Sequence, residues 1–360
     1  MGLLNKNIMG FEPKIFGLDL SDLSVKVLEL EQEGRTERII GYGAQDIPPG
    51  LIEDGKIIDK EKVAACIREV LKKAGPKKIS TKKVICSVPE SKAFLRIVSI
   101  PKMKEEESQE AIKWEIEASI PLSIDQVYYD WQFIEADMSG KQNILTLAVG
   151  KETIDEMTAV LEMAGLAVYG FEVESVASAR SLIDQKNIAK EKASFIIDLG
   201  SQRTGFIVVV KGIPYFTSSI PFSSESINDA IGKSLNLNFQ EAEKAKVNQG
   251  IENAESGNPI FTAINSLLEN LGQEIEKTLD FYGEMNKETI EVEKIILCGG
   301  GANLKGLVPY LEKRLGKVVE LGNPWVNLKI KNNLPIINKE NAVRYCTVVG
   351  LALRGLEYED

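Results

Sequence analysis

Residues 15–30 read IFGLDLSDLSVKVLEL, and residues 195–210 read FIIDLGSQRTGFIVVV. Each is an apolar run closing on an aspartate, then a short polar turn, then a second apolar run; Asp198 stands in one where Asp19 stands in the other. Short aliphatic and β-branched runs bounded by turn formers predict strands, so the pattern predicts two similar hairpins. A third turn, IILCGGGA at 295–302, follows another apolar run. Two related halves that each aim a carboxylate and a phosphate-sized turn at one cleft, with a glycine turn beside them, predict a nucleotide site.

The chemistry of the turns supports that expectation. Asp19 ends a buried strand and Lys26 lies on the return strand. A carboxylate there can hold hydrated Mg²⁺, and the lysine can reach phosphates as a point charge. The competing reading is a surface hairpin with a solvated lysine. In the second turn Gly200 allows close backbone approach, Ser201 and Thr204 bring hydroxyls, and the turn amides form an anion-binding concavity. Gly299, Gly300 and Gly301 let the chain lie flat against a flat ligand just before a helix N-terminus. Read singly, that turn is a flexible loop; it is the joint order of the three that favours nucleotide. Gly232-Lys233-Ser234 looks like the end of a P-loop, but Ile227 stands where the first glycine is required, within a helical pattern.

The chain has 360 residues, enough for two domains with proper cores. Its net charge of −10 disfavours nucleic acid, and the lysines at 72–73 and 77–78 are outweighed by acidic stretches such as Glu105–Glu107. With no histidine, Ser-His-Asp, Cys-His and His-ligated zinc chemistry are all excluded. Cys66, Cys86, Cys298 and Cys346 are scattered, and three are expected to behave as small buried hydrophobes. No run reaches the ~18–20 apolar residues of a membrane span. MGLLNKNIMGFEPK lacks the apolar region of a signal peptide, and Lys6 spoils a myristoylation motif at Gly2. These features predict a cytoplasmic protein without direct membrane insertion.

Asp59 is placed to cap a helix carrying Val63, Ile67, Val70 and Leu71, stopped by Gly75-Pro76. From about residue 93 a strand, a helix over 105–119, an aromatic strand VYYDWQFI (127–134), another strand and a helix ended by Gly165 predict a small inserted α+β subdomain. A helix over 175–183 leads to the second half. Residues 224–286 read as mostly helical, with a polar loop at 250–259, and a last helix is expected over 341–354.

Taken together these motifs resemble the actin/Hsp70/sugar-kinase ATPase superfamily, and within it the PilM family of type IV pilus assembly proteins, relatives of the division protein FtsA. The first phosphate motif matches 17–26, the second 198–204 and the adenosine motif 299–302. RIVSIPKMKEEESQEAIKWEIEASIPLSIDQVYYDW (96–131) and CGGGANLKGLVPYLEKRLGKVVELGNPW (298–325) resemble the PilM family closely. The resemblance implies an α/β fold of actin-like, ribonuclease H-like type, with two domains and an inserted FtsA/PilM-type 1C subdomain. It implies a first half (1A) at 1–92 and 169–192, the insertion at 93–168, a second half (2A) at 193–223 and 292–360 whose last helix packs back on 1A, and a helical 2B at 224–291.

It implies ATP and Mg²⁺ as ligands. Phosphate would fall to Ser21, Lys26, Gly200, Ser201, Gln202 and Thr204, the metal through water to Asp19 and Asp198, and adenosine to Glu243, Lys246, Gly299, Gly300 and Gly301. Glu174 stands where relatives position the attacking water; capping the following helix is its other reading. Leu20-Ser21 departs from the family's usual Ile-Gly, and hydrolysis is expected to be slow or absent. The implied role is a cytoplasmic scaffold, peripheral to the inner membrane through its partner. It would grip the N-terminal peptide of PilN in a 1A/1C groove and meet other pilus platform proteins, the assembly ATPase and further copies of itself. Tyr128–Phe133 would line the groove or pack the insertion's core. An FtsA-like filament-forming division adaptor is the alternative, disfavoured by the polar end GLEYED, and a sugar or small-acid kinase the remoter one.

Overall fold

The opening stretch forms a hairpin in which β1 (Phe16–Ser21) and β2 (Ser24–Glu33) pair antiparallel, Asp19 opposite Lys26. The structure, a computed structural model, describes residues 14–357 except 35, 104, 135–140, 189–192, 253–256, 286–289, 329–336 and 338. The candidate myristoylation glycine, the middle of the 250–259 loop and the last three residues of GLEYED lie outside the described residues.

After β2 come β3 (Thr36–Asp46), a small hairpin of β4 (Ile52–Glu53) and β5 (Lys56–Ile57), and α1 (Lys60–Lys73). Asp59 caps α1 by accepting the Lys62 N–H. Then follow β6 (Gly75–Pro76) and β7 (Lys83–Val88), parallel to β1. A 3₁₀ turn, Glu90–Lys92, runs into β8 (Ala93–Ile100), α2 (Glu105–Ser119), β9 (Val127–Phe133) and β10 (Gln142–Gly150). Strands β8, β10 and β9 make a separate small sheet in that order. Helix α3 (Lys151–Met163) and β11 (Ala167–Val173) return the chain to the first sheet, and α4 (Glu174–Leu182) leads on.

The second half repeats the plan with β12 (Ala193–Leu199), β13 (Thr204–Val210) and β14 (Ile213–Ile220). Helices α5 (Ser224–Leu235), α6 (Phe239–Gln249) and α7 (Pro259–Met285) intervene before β15 (Val292–Cys298), α8 (Leu307–Leu315) and β16 (Val318–Leu321). A short α9 (Lys339–Ala342) and α10 (Cys346–Glu357) complete the described chain. The first sheet runs β11-β7-β1-β2-β3-β6 and the second β16-β15-β12-β13-β14, the same order of parallel pairs and meander. The duplicated hairpin is thus the centre of a duplicated sheet.

Period-two alternation explains how these central strands can be apolar throughout: each face has its own cover. Phe195, Ile197 and Leu199 face Ile227, Ile264, Leu268 and Leu311 of the helical side, while Ile196 faces Ala179 and Leu182 of α4. In the first sheet Phe16, Leu18 and Leu20 meet α1 and α3, whereas α10 covers the face of Leu28 and Leu30. Met157, Val160 and Leu161 of α3 therefore belong to the first sheet's core, although the sequence groups this helix with the insertion. The small sheet's own core is Ile100, Ile112, Ile116, Val127 and Ile144; Tyr128, Tyr129 and Phe133 are exposed, so most of the aromatic strand does not pack it. The expected last helix is broken by a 3₁₀ turn at Val343–Tyr345, which frees the Val343 carbonyl to accept the Gly299 N–H at 3.0 Å. Cys86, Cys298 and Cys346 are buried and unbridged.

Helices α4 and α10 cross between the sheets and are tied by Glu172 of β11. Its buried carboxylate accepts from both terminal nitrogens of Arg180, one at 2.9 Å, and from Nη1 of Arg354 at 2.9 Å. Glu172→Gln should cost about 3 kcal/mol, the low end for a broken buried pair because both guanidinium groups keep some water. Urea unfolding measures this; an unchanged midpoint would contradict the tie.

Candidate nucleotide site

The two hairpin turns face each other across a cleft of ≈ 1150 Å³. Asp19, Ser21, Lys26, Glu174, Asp198, Gly200, Ser201, Gln202, Glu243, Lys246 and all three glycines of 299–301 line it. Thr204 does not: it is fully buried and its hydroxyl donates to the Phe222 carbonyl at 2.9 Å. It shapes the second turn from beneath.

Asp19 reaches the cleft because β1 ends there. Lys26 Nζ lies 3.0 Å from its Oδ2 and 3.0 Å from Ser24 Oγ, and Ser87 Oγ donates to its Oδ1 at 3.1 Å. Lysine and aspartate are both nearly buried, so the pair is pre-set rather than solvated. In the second half the position opposite Asp198 is Gly205, so no lysine answers it. Burial, then the charge of Asp19, pushes the Asp198 carboxyl up to about 6, with Lys26 pulling the other way. Glu174 starts α4 and accepts the Glu90 N–H at 3.2 Å. Burial above all, then Asp19 and Asp198, drives its pKa well above the ordinary value.

The Gly200 N–H bonds to the Arg203 carbonyl at 3.0 Å, which closes the second turn tightly. Gly299 has φ +80°, and a Cβ there would lie 2.3 Å from Asp198 Oδ1. Only glycine lets the third turn pass so near the carboxylate. On the far side Lys246 Nζ donates to Ser224 Oγ at 2.6 Å and pairs with Glu243 at 2.7 Å. Burial pushes Glu243 up, but Lys246 and Asn228 outweigh it and hold the carboxyl below its ordinary value.

Among the described residues, the buried side-chain polar atoms without a hydrogen-bond partner are Glu90 Oε2, Ser175 Oγ, Asn228 Oδ1 and Asn303 Oδ1. All four residues line this cleft. Buried polar groups are ordinarily satisfied, so their concentration here is the mark of a place for a polar ligand. Oxygen donors at Asp19 and Asp198 suit a hard cation such as Mg²⁺, so nucleotide and metal fit the residues present. Sequence reasoning missed Glu90, Asn228, Asn303 and the exposed Arg344, which lies beside Gly300. Glu90 carried a signal: it follows directly on the carboxyl end of a parallel strand, where α/β sheets place ligands. Asn228 and Arg344 had none beyond being polar among apolar helix positions.

A family model described as type IV pilus assembly protein PilM matches residues 17–356. Among solved structures, a chain of the PilM-PilN type IV pilus biogenesis complex is 24% identical, with 96% of this chain and 99% of that chain covered, at a TM-score of 0.81. The ethanolamine utilization protein EutJ from Carboxydothermus hydrogenoformans is 17% identical over 95% and 90%, at 0.58. MreB5 of Spiroplasma citri, bound to ADP, is 14% identical over 96% and 97%, at 0.53. The fold is that of the actin-like ATPases.

Proposed function

This chain belongs to the PilM family of type IV pilus assembly proteins, and from that premise we propose that it is an ATP-binding scaffold whose docking of PilN depends on its nucleotide state. The observation that carries the nucleotide part is the cleft itself, where paired aspartate turns and unsatisfied polar atoms converge. Asp19 and Asp198 would hold Mg²⁺ through water; the metal would offset phosphate charge. In this reading Ser21, Gly200, Ser201 and Gln202 would contact phosphates, with Lys26 orienting Asp19, and Glu243, Lys246 and Gly299–Gly301 would contact adenosine; all of them line the cleft. Burial and the nearby Asp19 and Asp198 disfavour the ionised form of Glu174 in the free protein, which fits slow or absent hydrolysis.

For docking, the relative in the PilM-PilN complex supports PilN as partner. A second cavity of ≈ 140 Å³ lies where the β4–β5 hairpin meets α3, lined by Lys56, Ile57, Lys92, Glu152, Glu156 and Met157. Exposed Tyr128 stands nearby, its hydroxyl donating to Asp155 of α3. Mixed charge around an apolar floor suits an extended peptide, and we take this seam between 1A and 1C as the groove. Among the described residues no helix is long and apolar enough to cross a membrane, so peripheral association through PilN is the consistent arrangement. The four-part division into 1A, 1C, 2A and 2B, and contacts with other platform proteins, belong to the same proposal.

The nucleotide part is tested by calorimetric titration of Mg-ATP. Wild type should bind, and Lys246→Ala should weaken binding about tenfold or more, the worth of a hydrogen bond to a charged group. No heat from wild type would overturn the reading.

A further inference from the structure

Two short segments stand between the nucleotide cleft and the small cavity, and each lines both. One is the turn of the β4–β5 hairpin: Asp54 and Gly55 face the cleft, while Gly55 and Lys56 face the small cavity. The other is the 3₁₀ turn: Glu90 and Ser91 face the cleft and Lys92 the small cavity. They touch each other. Lys92 Nζ lies 3.7 Å from Asp54, and a Cβ on Gly55 would meet Pro89 at 3.1 Å and Lys92 at 3.3 Å. They form a partition one residue layer thick.

Each segment is also held by a group that belongs to the cleft. The Gly55 N–H donates to Asp22 Oδ1 at 2.9 Å, and Asp22 sits in the first phosphate turn. The Glu90 N–H donates to Glu174, and the Glu90 carboxyl lies against the Thr217 hydroxyl of β14, in the other half of the molecule. Strand β14 is in turn tied to the second phosphate turn, since Arg203 donates to Ser219 Oγ at 3.0 and 3.3 Å. Ser219 and Thr217 project from the same face of that strand. β14 packs on the 3₁₀ turn and on β8, the first strand of the small sheet. A displacement of the second half on nucleotide binding therefore meets the partition directly, through Thr217 and Glu90.

We propose that this partition, gripped from the second half by the Thr217–Glu90 contact, is the element that couples the nucleotide cleft to the peptide groove. The inference rests on the nucleotide-tuned docking reading and adds its route. Contiguous packing of the two ligand-lining segments supplies a physical route for such coupling. Glu90 acts here as a positioning residue; it orients Glu174 through its N–H and transmits through its carboxyl.

Because coupling is reciprocal, it can be read from either ligand. The affinity for Mg-AMPPNP is measured with and without a saturating synthetic peptide of the PilN N-terminus, in wild type, Thr217→Val and Thr217→Ser. In wild type the peptide should change nucleotide affinity by about fivefold or more. Thr217→Val, near-isosteric and at a position 9% exposed, should keep nucleotide affinity without peptide within about twofold yet bring the ratio close to one. Thr217→Ser keeps the hydroxyl and should restore the wild-type ratio. A full ratio in Thr217→Val overturns the partition route and leaves nucleotide-tuned docking standing. A ratio of one in wild type, with both ligands bound, overturns both.

Discussion

Replacing Gly350 with alanine is expected to remove most of the protein's stability. A Cβ at this position would lie 1.9 Å from the Ala177 carbonyl oxygen and 2.5 Å from its carbon. Those atoms are backbone of α4, so no rotamer change relieves the overlap; α10 must lift away. That movement would open the seam where Val348, Val349, Leu351 and Ala352 are buried and would disturb the Glu172 tie to Arg354. Alanine returns about 1 kcal/mol in helix propensity, but overpacking against rigid backbone should cost about 4 kcal/mol or more. Circular dichroism should show the melting temperature falling by about 10 °C, or no folded protein at all. A melting temperature within about 2 °C of wild type would mean the helices cross less closely than described.

The second large effect is two-sided. Asp198→Asn should weaken Mg-nucleotide binding about 10–100-fold, the usual cost of losing a carboxylate that orients a metal's shell, while stabilising the free protein. The sign follows from its raised pKa of about 6. The folded state holds the proton more tightly than the unfolded chain, so the group's stabilising contribution is full below the ordinary carboxylate range and lost as pH rises through 6. At pH 7 the ionised carboxylate is a standing cost, with Asp19 close by. The asparagine should gain up to about 3 kcal/mol at pH 7 and almost nothing at pH 4. Denaturant unfolding at the two pH values checks it; destabilisation at pH 7 would show that Asp198 is structurally paired rather than strained for a ligand. Function-bearing groups are often held at such a cost to stability.

What could be read from sequence followed the physics of each signal. The hairpins around Asp19 and Asp198 were legible because central strands covered on both faces must be apolar throughout, and the turns between them carried their own chemistry. The α2 boundaries, 105–119, were legible from periodicity. Thr204 was misplaced because the interval from Asp198 says nothing about which face of β13 its hydroxyl takes. That α3 also packs on the first sheet was not legible, because an apolar stripe tells that a helix packs, not which sheet it packs on. The break at Val343–Tyr345 was hidden because its cause, the Gly299 N–H, lies far away in sequence. Asn228 became visible only once folding brought it to the cleft wall.

The most direct test of a nucleotide-tuned docking scaffold is calorimetric titration of the PilN N-terminal peptide into the wild-type protein, with and without Mg-ATP. Binding in both states, with affinities that differ by about fivefold or more, is the expected result. Equal affinities would contradict nucleotide control, and absence of binding in either state would contradict the docking role itself.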